Sequence, residues 1–193
     1  MRIGVFNVKG GVGKTALSVA LYNDLRAKAY YSNEQNTINN LNITLLNFKN
    51  AQEKRKMIIE DNAIFDFGGF SDDICDFIRI CDLIVIPTTR DKLAIQKAFL
   101  SMKTIEKLNN KILLVMTRVL PKFNEICDQA VELINQNRNY HSCYLNESKI
   151  FSDVIDQNKG VLELGEQFAY KNKAILTQWQ NFLSLIKTLA KEN

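Results

Sequence analysis

The 193-residue sequence has one histidine, two prolines and no long apolar run. Because His141 is its sole histidine, the chain cannot supply the histidine clusters of many metal sites. It also offers this one residue alone as a histidine base for a nucleophilic triad. Polar neighbours predict a surface or strand-edge position for His141, without a functional role. No stretch reaches the roughly 18 to 20 apolar residues that a membrane-spanning helix needs, and the first residues lack the layout of a signal peptide.

Cysteine is also sparse, and no two cysteines stand at C-x-x-C spacing. The four residues are Cys75, Cys81, Cys127 and Cys143. We expect reduced, mostly buried thiols rather than disulfides or an iron–sulfur cluster. The excess of positive charge is small, with 25 Lys+Arg against 21 Asp+Glu and a formal net charge of +4. It permits contact with a polyanion but does not require one.

The length and an ordinary share of apolar residues, 46%, predict one globular domain over residues 1–193. Short apolar runs alternate with amphipathic stretches, which is typical of a mainly parallel sheet with helices on both faces. The predicted strands are Arg2–Asn7, Ala29–Ser32, Ile43–Phe48, Ala63–Phe67, Leu83–Pro87, Ile112–Thr117 and Ser142–Leu145. A helix is predicted for Leu93–Leu108, with Leu93, Gln96/Lys97, Leu100 and Ile105 at helical spacing. A final helix is predicted for Lys173–Lys191, docked on the sheet through a stripe that includes Trp179.

The most informative segment is glycine-rich and reads Asn7-Val8-Lys9-Gly10-Gly11-Val12-Gly13-Lys14-Thr15. It follows the first strand and precedes an amphipathic helix. Glycines let several backbone N–H groups turn toward one point, and the helix start adds its positive dipole end. Lys14 is expected to contact the β- and γ-phosphates, and the Thr15 hydroxyl to ligate Mg²⁺. The sequence thus predicts a P-loop NTPase domain whose nucleotide is held by Gly10, Gly11, Val12, Gly13, Lys14, Thr15 and Ala16.

A second predicted site element is Asp66, near the end of the apolar strand Ala63–Phe67 and followed by Gly68 and Gly69. An Asp about 50 residues after a phosphate-binding loop fits a Walker B carboxylate. Such a carboxylate holds Mg²⁺ through water and orients the loop hydroxyl. Thr15 and Asp66 are therefore the predicted metal site, and Lys14 and Asp66 are predicted catalytic residues.

The run from Lys9 to Thr15 resembles the deviant Walker A loop of the ParA/MinD group of P-loop ATPases, closest to the short plasmid-type ParA proteins. The resemblance implies that Lys9 crosses a face-to-face dimer to the nucleotide of the other subunit, as a catalytic and nucleotide-binding residue. Thr117-Arg118 resembles the end of the ParA strand near the nucleotide base, which implies that both residues bind the cofactor. The segment Ser148–Leu164 resembles the C-terminal segment of the same group.

One feature of that group is missing. Relatives carry Asp-x-Asp after the second strand, and its second Asp helps to position the attacking water. This sequence has Ser32-Asn33-Glu34-Gln35 there, without an Asp, and Asn33 is matched to the missing residue. An amide can orient water but cannot accept its proton. We therefore expect intact binding of ATP and ADP, with hydrolysis that is slow or depends on a partner.

The resemblance implies a Mg²⁺-dependent ATPase that forms a homodimer with ATP and partitions plasmid or chromosomal DNA. It also implies a ParB-like or other DNA-bound adaptor, a cytoplasmic location and association with the nucleoid. Non-specific DNA binding requires clustered cations. Two candidate clusters are present: Lys103, Lys107, Lys111, Arg118 and Lys122, and Lys49, Lys54, Arg55 and Lys56.

Two other functions remain open from the sequence. One is a ParA-like accessory protein for DNA processing in conjugation or type IV secretion. The other is a MinD-like membrane-associated positioning ATPase, which would need a basic amphipathic tail. Because the apolar stripe of the last helix is wide and contains Trp179, we expect core docking rather than membrane binding.

Overall fold

Seven parallel strands form one sheet in the computed structural model, which describes residues 1–35, 38, 40–48, 51–120, 140–167 and 169–191. The strand order is β3-β2-β4-β1-β5-β6-β7, and every neighbouring pair is parallel. The strands are Arg2–Phe6 (β1), Ala29–Ser32 (β2), Ile43–Leu45 (β3), Ala63–Phe67 (β4), Leu83–Thr88 (β5), Ile112–Val119 (β6) and His141–Asn146 (β7).

Helices cover both faces of the sheet, as its two-sided apolar strands require. They are Lys14–Asp24 (α1), Ala51–Lys56 (α2), Cys75–Ile80 (α3), Lys92–Ile105 (α4), Ile150–Gln157 (α5), Val161–Gln167 (α6) and Ala169–Leu189 (α7), with a 3-10 turn at Asp72–Ile74. Side chains alternate between two cores: Ile3 and Val5 face the cluster under α1 and α7, whereas Phe6 faces the cluster under α3 and α4.

The last helix docks on the sheet as the sequence predicts. Trp179 and Ile186 are fully buried, and Trp179 Nε1 donates a 2.7 Å hydrogen bond to Asp24 Oδ2 at the end of α1. The apolar stripe of α7 is thus part of the core of the domain. Within the described part of the chain, no helix combines the length and the apolar character needed to span a membrane.

Two predicted elements differ in the structure. β3 ends at Leu45 instead of Phe48, because its partner β2 ends at Ser32, which is in register with Leu45. The predicted apolar stripe of α4 is wrong at Leu93 and Leu100, which are each 52% exposed, and correct at Ile105, which is fully buried. The buried side is formed by Ala94, Ala98, Ser101, Met102 and Ile105. Two small alanines at i and i+4 let the helix approach the sheet closely, which leaves the leucines on the outer side.

The sheet topology determines where a ligand site can form. β1 lies at the centre between β4 and β5, and the loop after β1 and the end of β4 meet at the carboxyl edge of the sheet. In open parallel sheets, ligands bind outside this edge. His141 is the first residue of the edge strand β7 and is exposed, which confirms its predicted place.

Candidate functional site

The glycine-rich loop leads from β1 directly into α1. Gly11 (φ 75°) and Gly13 (φ 90°) adopt left-handed conformations, which side chains disfavour. Gly13 is the residue immediately before the helix, and its carbonyl accepts the first helical hydrogen bond, from Leu17 N. The first N–H groups of the helix have no helical acceptor, and such groups at a helix start can bind an anion.

A buried amide fixes the entrance to this loop. Asn7 Nδ2 donates to the carbonyl of Pro87 on β5 (2.7 Å), and its Oδ1 accepts from the backbone N–H of Lys9 (2.9 Å). The hydroxyl of Ser101 on α4 also donates to Asn7 Oδ1 (3.3 Å) and accepts from Val8 N (3.3 Å). Asn7 therefore ties the loop to β5 and α4. No role was predicted for Asn7, although a polar residue directly after a buried strand is a signal that the sequence contains.

Thr117, a residue predicted to bind the nucleotide cofactor, contacts the backbone of the glycine-rich loop. Its hydroxyl donates to the carbonyl of Val12 (2.9 Å) and lies 3.1 Å from the carbonyl of Thr88. The next residue, Arg118, has a left-handed backbone (φ 56°) at an irregularity in the β6–β7 register, and its side chain is exposed. Thr117 thus holds the loop, and Arg118 stands at its outer rim.

The two predicted metal residues are in contact. The Thr15 hydroxyl donates to Asp66 Oδ2 (2.9 Å), although 51 positions separate the two residues in the chain. A third residue, Tyr30, joins them, because its hydroxyl also donates to Asp66 Oδ2 (2.9 Å). Tyr30 is fully buried on β2. Its contact with Asp66 was not predicted, because a tyrosine in a buried strand has the pattern of an ordinary core residue.

The electrostatics of Asp66 suit a cation. Burial raises the pKa of this carboxyl above its usual range, while the hydrogen bonds from Thr15 and Tyr30 and the charge of Lys14 oppose that rise. The negative charge of Glu34 raises it further. Asp66 Oδ1 is buried and has no hydrogen-bond partner among the described residues. A buried carboxylate oxygen without a donor, next to a hydroxyl ligand, fits Mg²⁺ and its water shell.

The two lysines of the loop take different positions. Lys14 Nζ donates to the carbonyl of Lys9 (3.2 Å), so its ammonium lies across the mouth of the loop. The Lys9 side chain is half-buried and lies near Asp91, the N-cap of α4. The pKa of Asp91 is lowered chiefly by a hydrogen bond from Thr89 and also by the positive charge of Lys9. Lys14 thus lies against the backbone of the loop, whereas the charge of Lys9 acts near the start of α4.

Asn33, the predicted substitute for the missing Asp, contacts the glycines after the Walker B strand. Its Oδ1 accepts from Gly68 N (2.7 Å), and its Nδ2 donates to the carbonyl of Gly69 (3.2 Å). The neighbouring Glu34 places its carboxylate against Gly68, where a Cβ atom would overlap it. The structure therefore brings both residues to the glycines that follow the strand of Asp66.

A cavity of about 440 Å³ opens beside the loop. Its walls come from the start of α1, the end of β6, the turn after β7 and α5, and they include Ala16, Arg118, Asn146, Lys149, Phe151 and Ser152. The volume lies within the range of small-molecule sites. Ala16, Thr117 and Arg118 were predicted to bind the nucleotide. The contribution of residues 145–155 was not predicted, since it arises only when β7 pairs with β6.

The cationic clusters proposed for DNA are divided by the fold. Lys111 precedes β6 and Arg118 lies near its other end, so they are about 23 Å apart at about 3.3 Å per residue. Lys103 and Lys107 lie with Lys111, at the end of α4 and the following turn. In the second cluster, Lys54 Nζ pairs with Asp76 Oδ2 at 2.8 Å. Lys49, Lys122 and the side chain of Arg55 fall outside the described residues.

Solved structures share this fold over most of its length. An ATP complex of a Cyanothece McdA variant is 13% identical, with a TM-score of 0.63 over 100% of this chain and 97% of that one. The septum site-determining protein MinD of Pyrococcus horikoshii, complexed with Mg-ADP, is 14% identical, with a TM-score of 0.58 over 99% of both chains.

A plasmid partition protein of Borrelia burgdorferi bound to AMPPNP is 15% identical, with a TM-score of 0.53 over 93% of this chain and 98% of that one. No protein-family model matches the sequence, and no curated protein does. At these identities the likeness establishes the fold alone. The predicted α/β P-loop fold of the ParA/MinD type, with its parallel sheet and helices on both faces, is confirmed.

Proposed function

We propose that the chain is a Mg²⁺-dependent ATPase that hydrolyses ATP to ADP and phosphate. The observation that carries this proposal is the hydrogen bond from Thr15 to Asp66 under a glycine-rich loop. A phosphate-binding loop alone would fit many anions. Here the Thr15 hydroxyl of the loop is bonded to the buried Asp66 carboxylate, and a cavity of nucleoside size lies beside the loop. This combination fits a metal-bound nucleoside triphosphate. The nucleotide-bound neighbours support the same assignment.

Each part of the site has a task in this reaction. The N–H groups of Gly10 to Thr15 and the Lys14 ammonium bind the phosphates, and the cavity next to Ala16 and Arg118 takes the nucleoside. Thr15 and Asp66 would hold Mg²⁺, which reduces the negative charge that develops on the phosphates. Turnover is proposed to be slow. The groups that position the phosphates and stabilise their charge are present, but no Asp follows β2 to position the attacking water.

The same proposal includes a homodimer in the ATP state. Lys9 is part of the loop, and Val8, Phe70 and Leu100 are apolar residues that are exposed to solvent. Val8 N bonds to Ser101, next to Leu100, and the Phe70 ring packs edge-on against Phe6, which precedes the loop. A second copy seated on this face would cover the apolar side chains and bring a second lysine to the γ-phosphate.

As its biological role we propose partition or positioning of DNA in the bacterial cytoplasm, on the nucleoid, with a ParB-like or other DNA-bound adaptor. Lys103, Lys107 and Lys111 at one end of α4 support non-specific DNA binding by the dimer. The burial of the α7 stripe in the core favours this role over a MinD-like membrane positioner. Conjugative DNA processing shares the same chemistry and differs in the partner.

Size-exclusion chromatography with light scattering tests the core of the proposal. We expect monomers without nucleotide and with ADP, and dimers with Mg-ATP. Lys9→Ala should bind ATP as a monomer, Lys14→Ala should lose ATP binding, and Lys28→Ala, an exposed lysine far from the loop, should behave as wild type. Absence of Mg-ATP binding in calorimetry would remove the ATPase function, and binding without dimers would remove the dimer switch.

DNA binding needs its own measurement. Retention of arbitrary duplex DNA by the ATP form should fall steeply between about 50 and 200 mM salt. A Lys103→Glu/Lys107→Glu variant should lose most of this binding while its ATP affinity stays unchanged. Equal retention by this variant and by wild type would show that DNA binds elsewhere or only adventitiously.

A further inference from the structure

The backbone turn after β7 is fixed at two consecutive residues in the wall of the cavity. Glu147 N donates to the carbonyl of Val119 on β6 (2.9 Å), and Asn146 N donates to Oε1 of Gln178 on α7 (3.0 Å). Val119 and Asn146 form the last pair of the β6–β7 register. Because both N–H groups of the turn are held, the Asn146 side chain starts from a defined position.

The amide oxygen of Asn146 has no partner. Oδ1 is buried, and no donor reaches it in the ranges of the chain that the structure describes. Nearly all buried polar atoms in folded proteins have a partner, because leaving one unpaired costs stability. The side chain as a whole is half-buried and lines the cavity beside the phosphate-binding loop. We therefore expect the missing donor to come from the molecule that occupies this cavity.

The walls around Asn146 suit a flat ring. Apolar side chains of the same cavity come from Leu17, Leu145, Phe151 and Ile155. Gly13 and Ala16 also line it, so the cavity adjoins the loop that is proposed to hold the phosphates. Small-molecule sites are typically apolar, with a few polar groups that set orientation and specificity. A base attached to a loop-bound triphosphate would meet these apolar walls and the Asn146 amide.

The other polar side chains of the wall are already engaged or are exposed to solvent. The Thr117 hydroxyl bonds to the carbonyl of Val12, and Ser148 Oγ accepts from Ile150 N (3.3 Å) at the start of α5. The exposed residues are Arg118, Glu147, Lys149 and Ser152. Asn146 thus combines an unpaired oxygen with a buried position. A buried polar group of this kind discriminates well, because a wrong ligand leaves it unpaired.

We propose that Asn146 selects the base of the bound nucleotide by accepting a hydrogen bond from the 6-amino group of adenine. The assignment rests on the proposed function and deepens it. A side-chain amide accepts from this amino group through its oxygen and donates to a neighbouring ring nitrogen through its NH₂ group. The buried position of Oδ1 sets the preference, because guanine would bring its carbonyl oxygen against the amide oxygen. A good pair of this type discriminates by about 5- to 150-fold.

Competition with a fluorescent ATP analogue tests the assignment. Wild type should bind ATP about 5- to 150-fold more tightly than GTP or purine riboside triphosphate, which lacks only the 6-amino group. Asn146→Leu has a similar size without hydrogen-bonding atoms, so it should bind ATP and purine riboside triphosphate equally. Its affinity for tripolyphosphate should stay unchanged. Asn110→Leu is the matched control, since Asn110 is exposed and precedes β6, whereas the cavity lies near the other end of that strand.

Urea unfolding without nucleotide gives a second readout that needs no ligand. Asn146→Leu removes the unpaired oxygen, so its unfolding midpoint should lie above that of wild type. A lower midpoint would show that the oxygen already has a partner in the free chain, which contradicts the assignment. The comparison of ATP with purine riboside triphosphate uses wild type alone and decides the question even if the variant does not fold.

The outcomes separate this assignment from the proposed function. If wild type binds all three nucleoside triphosphates equally, or if Asn146→Leu keeps the preference for ATP, the assignment is wrong and nucleotide binding stands. If Asn146→Leu loses ATP and tripolyphosphate in parallel, the residue supports the loop instead of selecting the base, and the assignment is also wrong. A wild type that binds none of these nucleotides overturns the proposed function itself.

Discussion

The Tyr30 hydroxyl donates a 2.9 Å hydrogen bond to Asp66 Oδ2 from the strand beside the one that carries the carboxylate. In the β2–β4 register, Tyr30 is opposite Ile64 and Ser32 is opposite Asp66, so the phenol reaches diagonally along one face of the sheet. Since Thr15 also donates to Oδ2, two donors hold the same oxygen, and Oδ1 has no donor in the part of the chain that the structure describes. The carboxylate is thereby oriented with one oxygen available for a cation.

Removing the Tyr30 hydroxyl should therefore weaken metal binding. We expect Tyr30→Phe to require about 10- to 100-fold more Mg²⁺ for half-maximal ATP binding, the effect typical of losing a partner of a ligating carboxylate. A magnesium titration of ATP binding measures this. Tyr31→Phe is the control, because the Tyr31 hydroxyl bonds to the backbone of Ile58 and Glu60, away from Asp66. Equal magnesium dependence of both variants and wild type would contradict a positioning role for Tyr30.

The Tyr30 contact also shows which parts of the site a sequence reveals. The loop from Lys9 to Thr15 is local: its glycines, lysine and hydroxyl act within a few positions, so their spacing is enough to predict it. Asp66 was predictable because an Asp near the end of a strand, about 50 residues after such a loop, fits a Walker B carboxylate. Contacts that form only when distant parts of the chain pack together were not predictable. One example is the contact between Asn7 and Ser101, which are 94 positions apart in the sequence. The predicted burial of Leu93 and Leu100 on α4 was wrong for a similar reason, because the helix packs on the sheet through its alanine side.

The loop clamp around Asn7 is the basis of the second prediction. Asn7→Ala would leave the buried Pro87 carbonyl and the Lys9 N–H without their partners. Each lost partner of a buried polar group costs about 1–3 kcal/mol. We expect the free energy of unfolding to fall by about 2–4 kcal/mol and ATP affinity to fall at least tenfold, measured by urea unfolding and by calorimetry.

Ser101→Ala is the graded control for Asn7, because the Ser101 contacts with Asn7 and Val8 are both longer, at 3.3 Å. It should lose less stability and less affinity than Asn7→Ala. If Asn7→Ala is destabilised but binds ATP with wild-type affinity, the clamp stabilises the fold without shaping the loop.

The cavity beside the loop predicts a separation of nucleoside from phosphate binding. Ser152→Trp places a large ring into a wall formed by α5, so we expect ATP affinity to fall at least tenfold while affinity for tripolyphosphate stays within about twofold. Gln157→Trp, at the exposed end of the same helix and outside the cavity wall, controls for the added ring. Competition with a fluorescent ATP analogue measures both ligands. Parallel loss of ATP and tripolyphosphate would mean that the substitution disturbs the loop rather than the nucleoside pocket.

Asp24 links the end of α1 to the C-terminal helices and should make stability depend on pH. Its Oδ2 accepts from Trp179 Nε1 (2.7 Å) and from Val161 N (2.8 Å). Burial raises the pKa of Asp24 above the usual 3.8, and the hydrogen bonds from Trp179 and from the backbone N–H groups of Leu162 and Val161 oppose the rise. The folded chain thus binds this proton more tightly than the unfolded chain does. The corresponding stabilisation is complete below pH 3.8 and is lost as the pH rises through the folded pKa.

Asp24→Asn keeps an acceptor oxygen and removes the charge, so its unfolding free energy should improve relative to wild type as the pH rises above about 3.8. The difference should become constant once the pH exceeds the folded pKa, and other carboxyl groups cancel in it because both proteins share them.

Asp24→Ala lacks the acceptor and should be about 2–4 kcal/mol less stable than wild type at neutral pH, since buried N–H donors lose their partner. Urea unfolding followed by the fluorescence of Trp179, the one tryptophan of the chain, measures all three proteins. A pH-independent difference between wild type and Asp24→Asn would show that burial does not shift this carboxyl.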